Sequence, residues 1–257
     1  MKLHVESVGR GPPLLLLHGW ALHGGLFSPL VAKLLDQFTV YAVDLPGHGH
    51  SAMIAPFDLA NIVRSVDEST AHIEAPLTVL GWSFGGMVAQ AWALHAPQRI
   101  ARLVLACTKP KFVKSLEWPH GTAPEVLQSL VDGFSTAPRE TMERFLELNI
   151  TGSEAASALR ATIKRLGHAR PAVQPQAMHQ GLNVLSEFDI RARLHEIAQP
   201  TLVITGGLDR LTHPSIGTYY QAALPNAQLL HIPRAAHAPH LSHTEEVAQA
   251  LRQFAHE

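Results

Sequence analysis

Leu77-Thr78-Val79-Leu80-Gly81-Trp82-Ser83-Phe84-Gly85-Gly86 decides how this chain is read. The opening residues, mostly apolar, suit a strand buried on both faces of a sheet. Beyond the glycines, Met87, Val88, Ala91 and Leu94 recur with the 3.6-residue period of a helix reaching about His95. A serine between strand and helix, flanked two residues away on each side by glycine, has the form of a nucleophile elbow. The hydroxyl must stand clear of the sheet on a strained turn. Side chains at Gly81 and Gly85 would collide with neighbouring backbone. The helix that follows aims its free N–H groups and positive dipole end at Ser83.

Similar apolar runs lie on either side: Pro13–Leu17, Thr39–Val43, Leu103–Cys107, Thr201–Thr205 and Leu229–Ile232. Helical patterns separate most of them, as at Leu26, Phe27, Leu30, Val31, Leu34 and Leu35. This alternation predicts an α/β fold, a mostly parallel sheet flanked by helices. From about Lys109 to Glu187 the alternation stops. Four helical segments, Pro124–Phe134, Arg139–Asn149, Glu154–Leu166 and Gln176–Glu187, are punctuated by Pro119, Gly121, Pro138, Gly152, Gly167, Pro171 and Pro175. An all-helical insertion at about 109–187, set between two core strands of a single domain as a lid, is the expected organisation.

Composition excludes several classes. The 257 residues are 46% hydrophobic and 16% charged, enough for one sizeable core. Twenty basic against 21 acidic side chains leave a net charge of −1, no field for holding nucleic acid or an anionic membrane surface. The single cysteine, Cys107, allows no internal disulfide and is expected to be buried. No apolar run approaches the roughly 18 residues of a membrane helix, and residues 1–13 lack a signal-peptide core. A cytoplasmic, monomeric protein is expected.

A serine hydroxyl needs a base, and the base needs a carboxylate to orient it. After the run Thr201–Thr205 comes Gly206-Gly207-Leu208-Asp209; after Leu229–Ile232 comes Arg234-Ala235-Ala236-His237-Ala238-Pro239. Asp209 and His237 thus follow the carboxyl ends of their strands, on the sheet edge where Ser83 stands and where open α/β sheets place their sites. The chain order serine, acid, histidine is the one expected of such an elbow. Backbone N–H groups of Phe84 and of Trp20, in the loop His18-Gly19-Trp20-Ala21, are the candidate oxyanion donors, and the Trp20 ring can wall an acyl chain. His231, His240 and His243 surround His237 without companion carboxylate or cysteine ligands, so no metal site is expected, and this chemistry requires no cofactor.

These motifs together resemble the α/β-hydrolase superfamily over essentially the full length. Within it the chain is most similar to the pimeloyl-[acyl-carrier protein] methyl ester esterases of biotin synthesis. The matching pieces are Leu16-Leu17-His18-Gly19-Trp20, Val43 to Ser51, Gly81 to Gly86 and Arg234 to Pro239. More particular are Glu117-Trp118-Pro119 at the start of the lid and Glu143-Arg144-Phe145-Leu146-Glu147-Leu148 within it. The resemblance implies an α/β-hydrolase fold with an acyl chain held under the lid. It also implies substrate contacts at Trp20, Ser83, Phe84, Phe145, Leu146, Glu147, Leu148, Asn149 and His237. Acyl carrier protein is the implied partner, and Arg160, Lys164 and Arg165 offer it a basic lid face.

The triad alone leaves open a broad short-chain carboxylesterase, a carbon–carbon bond hydrolase or a peptidase. A non-catalytic binder is disfavoured because Ser83, Asp209, His237, Gly81 and Gly85 all stand. Dehalogenases and epoxide hydrolases are disfavoured because their nucleophile position carries aspartate.

Overall fold

The computed structural model describes residues 2–153 and 156–256. Seven strands form one sheet: β1 (Val5–Gly9), β2 (Pro13–Leu17), β3 (Thr39–Val43), β4 (Leu77–Trp82), β5 (Ile100–Ala106), β6 (Thr201–Gly206) and β7 (Ala227–Ile232). Their spatial order is β1-β3-β2-β4-β5-β6-β7. Only β1 is antiparallel to its neighbour. The helices are α1 (Ser28–Val31), α2 (Leu59–Thr70), α3 (Phe84–His95), α4 (Pro124–Thr136), α5 (Pro138–Leu148), α6 (Ala156–Gly167), α7 (Pro175–Glu187), α8 (Ile216–Ala223), α9 (Pro239–Ser242) and α10 (Thr244–His256). None of the described helices is long and apolar enough to cross a membrane.

The alternation of side chains along a strand builds two cores. Leu15 and Leu17 of β2 join Val79, Leu103, Leu105 and Val203 on one face, covered by α2, α3 and α8. Leu14 and Leu16 join Leu80, Val104, Leu202 and Ile204 on the other, where Leu30 of α1 and Val247 and Leu251 of α10 close over them. Both faces are buried, which is why these strands are continuous apolar runs.

Two expectations need correction. The edge strand β1 was not anticipated: its sequence, VESVG, is mostly exposed and carries no buried-strand pattern. The Leu26–Leu35 periodicity does bury Leu26, Phe27, Leu30 and Leu34. It is delivered, however, by a 3₁₀ turn over Gly24–Phe27, the single turn α1 and further turns, because Gly24, Gly25 and Pro29 interrupt a regular helix.

Between β5 and β6 the four helices α4 to α7 stack on the carboxyl edge of the sheet. Pro124, Pro138 and Pro175 stand at their first positions, where a missing N–H costs nothing. Residues Glu154 and Ala155, at the start of the third expected segment, lie outside the described residues. The two ends of the insertion meet: Ile190 N–H donates to Pro110 O at 2.9 Å, and Lys111 Nζ lies 3.3 Å from Asp189 Oδ2.

Candidate active site

Ser83 sits between β4 and α3 at φ +54°, ψ −115°, a backbone conformation that L residues rarely adopt. Its N–H donates to Ala106 O at 2.9 Å, and Thr108 Oγ1 donates to its carbonyl at 2.7 Å. Close approach explains the glycines. A Cβ on Gly85 would lie 2.1 Å from Leu17 O, and one on Gly81 would lie 2.4 Å from Gly85 O. The elbow thus presses α3 directly against the end of β2.

His237 and Asp209, from the loops after β7 and β6, complete a line of hydrogen bonds. His237 Nε2 lies 2.9 Å from Ser83 Oγ, and Nδ1 lies 2.8 Å from Asp209 Oδ2. With Nδ1–H donating to the carboxylate, Nε2 is left to accept from the serine hydroxyl. Asp209 Oδ1 is fixed in turn by the N–H groups of Leu211 and Thr212, each at 2.8 Å. The backbone of His237 is held at both ends. Its N–H donates to Asn149 O at 3.2 Å, and its carbonyl accepts from the Trp82 indole at 2.7 Å. The residue before the serine thus helps position the imidazole.

Around Ser83, neither the Phe84 nor the Trp20 N–H donates to an acceptor among the described residues. The loop carrying Trp20 is held from below. His48 Nε2 accepts from Ala21 N–H at 3.2 Å, and His18 Nε2 accepts from Leu45 N–H at 2.9 Å. Ala21 itself has φ +63°. Burial lowers His18 to about 3, helped by neighbouring His48, and lowers His48 to about 4. Both are therefore neutral rings able to accept these N–H groups. From above, Trp20 Nε1 donates to Met178 O at 3.1 Å, and its ring meets Phe134 and Phe145 edge-on, at 5.4 and 4.9 Å between centroids. One tryptophan therefore joins the loop to α4, α5 and α7.

Ser83 and His237 open into a cavity walled by Trp20, Met87, Phe112, Leu130, Phe145 and Leu185. Its volume is about 30 Å³. That holds one or two waters, each needing ~10–15 Å³ of such space, and no acyl chain. A larger recess of about 380 Å³ includes Arg234, His243 and Glu246 but none of the triad.

The remaining expected residues are dispersed. Of the segment 145–149, Phe145 alone lines the cavity. Leu146 packs beside Ile150 and Leu159, and Glu147 grips Arg160 at the surface, Oε2 accepting from Nε at 2.9 Å. Leu148 does not line the cavity, and Asn149 turns its amide back onto Phe145 O at 2.8 Å. Arg160, Lys164 and Arg165 are exposed on α6, but the Arg160 charge is already paired with Glu147. Cys107 is buried beside Asp209, and burial first, then that carboxylate, pushes its thiol well above the usual range. Cys107, Asp209 and His237 are the one group of three possible metal ligands among the described residues. A protonated thiol and an imidazole already bonded to Asp209 make a poor metal donor set. His231 and His243 turn instead to Thr205 and Ser242.

Sequence reasoning passed over Thr108, Trp82, His48, Thr212 and Lys109. Trp82 and His48 lie within the quoted motifs, which do not reveal these contacts, and Thr108, Thr212 and Lys109 stand in none, since each acts through a tertiary contact.

A family model described as alpha/beta hydrolase fold matches residues 12–244. A pimeloyl-[acyl-carrier protein] methyl ester esterase of Chromobacterium violaceum is 38% identical, covering 98% of this chain and 97% of its own. One of Stenotrophomonas maltophilia is 39% identical over 98% and 96%. Among solved structures, an esterase of Exiguobacterium antarcticum superposes with a TM-score of 0.91 at 22% identity over 99% and 96% of the two chains, a likeness of fold. A thermophilic esterase of Thermogutta terrifontis gives 0.83 at 25% identity over 99% and 93%.

Proposed function

The chain belongs to the α/β-hydrolase family, and on that premise we propose that it is a serine carboxylesterase acting on the methyl ester of a pimeloyl chain carried on acyl carrier protein. It frees the distal carboxylate and methanol in biotin synthesis. One observation carries the chemistry: the unbroken line from Ser83 Oγ through the His237 ring to Asp209, at 2.9 and 2.8 Å. The substrate rests on full-length relatives of that name at 38 and 39% identity.

Ser83 attacks the ester carbonyl as His237 Nε2 takes its proton. The Phe84 and Trp20 N–H groups receive the oxyanion, each worth about 3–4 kcal/mol in the barrier. His237 returns the proton to the departing methoxide, then activates the water that frees the acid. Asp209 keeps the imidazole oriented and stabilises its cation. The reaction calls on no metal or organic cofactor.

Hydrolysis of methyl esters of graded dicarboxylates, free and carrier-bound, tests the reading. Preference for the seven-carbon diacid on its carrier is expected, and Ser83→Ala abolishes it. Indifference to carrier and length would replace it with a broad carboxylesterase. The carrier docks on the exposed face of α6. With Arg160 engaged by Glu147, Lys164 and Arg165 supply the free charge. Lys164→Glu with Arg165→Glu lowers turnover of the carrier-bound ester at low salt and spares a small soluble ester; equal effects on both would remove the docking idea. A substrate on a soluble carrier supports action in the cytoplasm.

A further inference from the structure

Among the described residues, Lys109 is the one lysine, arginine, aspartate or glutamate lining the cavity that holds Ser83 and His237. It is 2% exposed. Its ammonium donates to Thr122 Oγ1 at 2.7 Å and to Leu211 O at 2.8 Å, and lies 4.6 Å from the centre of the Phe112 ring. All three partners are neutral, and no carboxylate forms an ion pair with it among the described residues. An ammonium has three N–H donors, so one remains without an acceptor there. Burying this charge is costly, and although Asp209 attracts it from a distance, no carboxylate among the described residues pairs with it directly. Burial lowers its pKa to about 8, with Asp209 opposing the shift, which leaves it mostly cationic near neutrality. In a largely apolar cavity, such a group has the chemistry to take an oxygen of a ligand.

We propose that Lys109 is a specificity-determining residue: its ammonium takes an oxygen of the acyl chain's second carboxyl function, the one not being cleaved. The cavity thereby selects methyl half-esters of aliphatic dicarboxylic acids over esters of plain fatty acids. This deepens the esterase reading above and rests on it. The second carboxyl can be a free carboxylate, which pairs with the full charge, or a thioester to a carrier, whose carbonyl accepts one N–H.

The test uses the full chain and four esters: monomethyl pimelate, dimethyl pimelate, methyl heptanoate and the carrier-bound methyl ester. Wild type is expected to prefer monomethyl pimelate to methyl heptanoate in kcat/KM by about ten- to hundredfold, the range of a hydrogen bond to a charged group. Lys109→Met removes that preference, mainly through KM, and changes methyl heptanoate less than about threefold. Lys109→Gln keeps a donor without charge, so it retains dimethyl pimelate and the carrier-bound ester while losing the half-ester. Lys109→Arg, which keeps the cation should the methionine variant fail to fold, retains the preference. A wild type that turns over methyl heptanoate as well as monomethyl pimelate overturns the assignment, as does a Lys109→Met variant that loses all four activities by one factor, the mark of a clamp between Thr122 and Leu211. In both cases the esterase reading survives. No turnover of any of the four esters overturns both.

Discussion

Acid should unfold this protein well above the pH at which its carboxylates titrate. His18, His48 and His240 are fully buried and neutral, lowered chiefly by burial to about 3, 4 and 3. In the unfolded chain each titrates near 6.5. The native state therefore refuses protons that the unfolded state takes up, and stability, complete above about pH 6.5, is lost as pH falls toward those native values. Between pH 7 and pH 5 each imidazole costs about 2 kcal/mol, and the three together about 5–6 kcal/mol, against a typical total of ~5–15. The slope near pH 5 approaches three protons, about 4 kcal/mol per pH unit. His240 isolates one share. Both of its ring nitrogens lack partners among the described residues, and it lies against Trp82 at 4.4 Å and Phe27 at 4.9 Å between centroids. His240→Phe should remove about one third of the slope and raise stability at pH 5 by about 2 kcal/mol or more. Urea unfolding followed by tryptophan fluorescence across pH 5–8 measures this. A wild-type stability that changes by less than about 2 kcal/mol over that range, or an unaltered slope in His240→Phe, refutes the reasoning.

Asp209→Asn keeps the Oδ1 contacts to Leu211 and Thr212 but gives the imidazole a wrong partner; kcat on a soluble methyl ester should fall about 10³–10⁴-fold with little loss of thermal stability. Gly85→Ala drives a methyl group to 2.1 Å from Leu17 O, so it should either fail to accumulate as folded protein or melt at least 10 °C lower, as read by circular dichroism. Arg170→Met breaks the 2.6 Å pair with fully buried Asp44, which keeps its bonds to Gly24 and His50 N–H; a loss of about 3 kcal/mol is expected in urea unfolding, and a neutral result would show that those N–H groups suffice.

The strands of the central sheet were legible because burial on both faces removes polar residues from the pattern, as at Leu14 to Leu17. The exposed strand Val5–Gly9 was not, since pairing on one side constrains its composition little. The lid helices announced their starts through Pro124, Pro138 and Pro175. For the candidate site, the order of Ser83, Asp209 and His237 after their strands could be read directly. What escaped were groups whose roles exist only across the fold: the Trp82 indole on the His237 carbonyl, His48 beneath Ala21, and Lys109 between Thr122 and Leu211. Of residues 145–149 only Phe145 meets the cavity, because a helix turn sends successive side chains in different directions.

The bond from the His237 amide to the Asn149 carbonyl ties the imidazole to the roof. Swinging α5 away to let a long chain enter would also slacken the proton acceptor, so opening and reacting become separate moments of the cycle. Water admitted by that opening would find the chemistry idle. Fastening α5 to the frame with a crosslink should therefore slow entry of long esters while leaving the attack itself intact in single-turnover kinetics. A crosslinked enzyme that lost the chemical step would show the tether to be incidental.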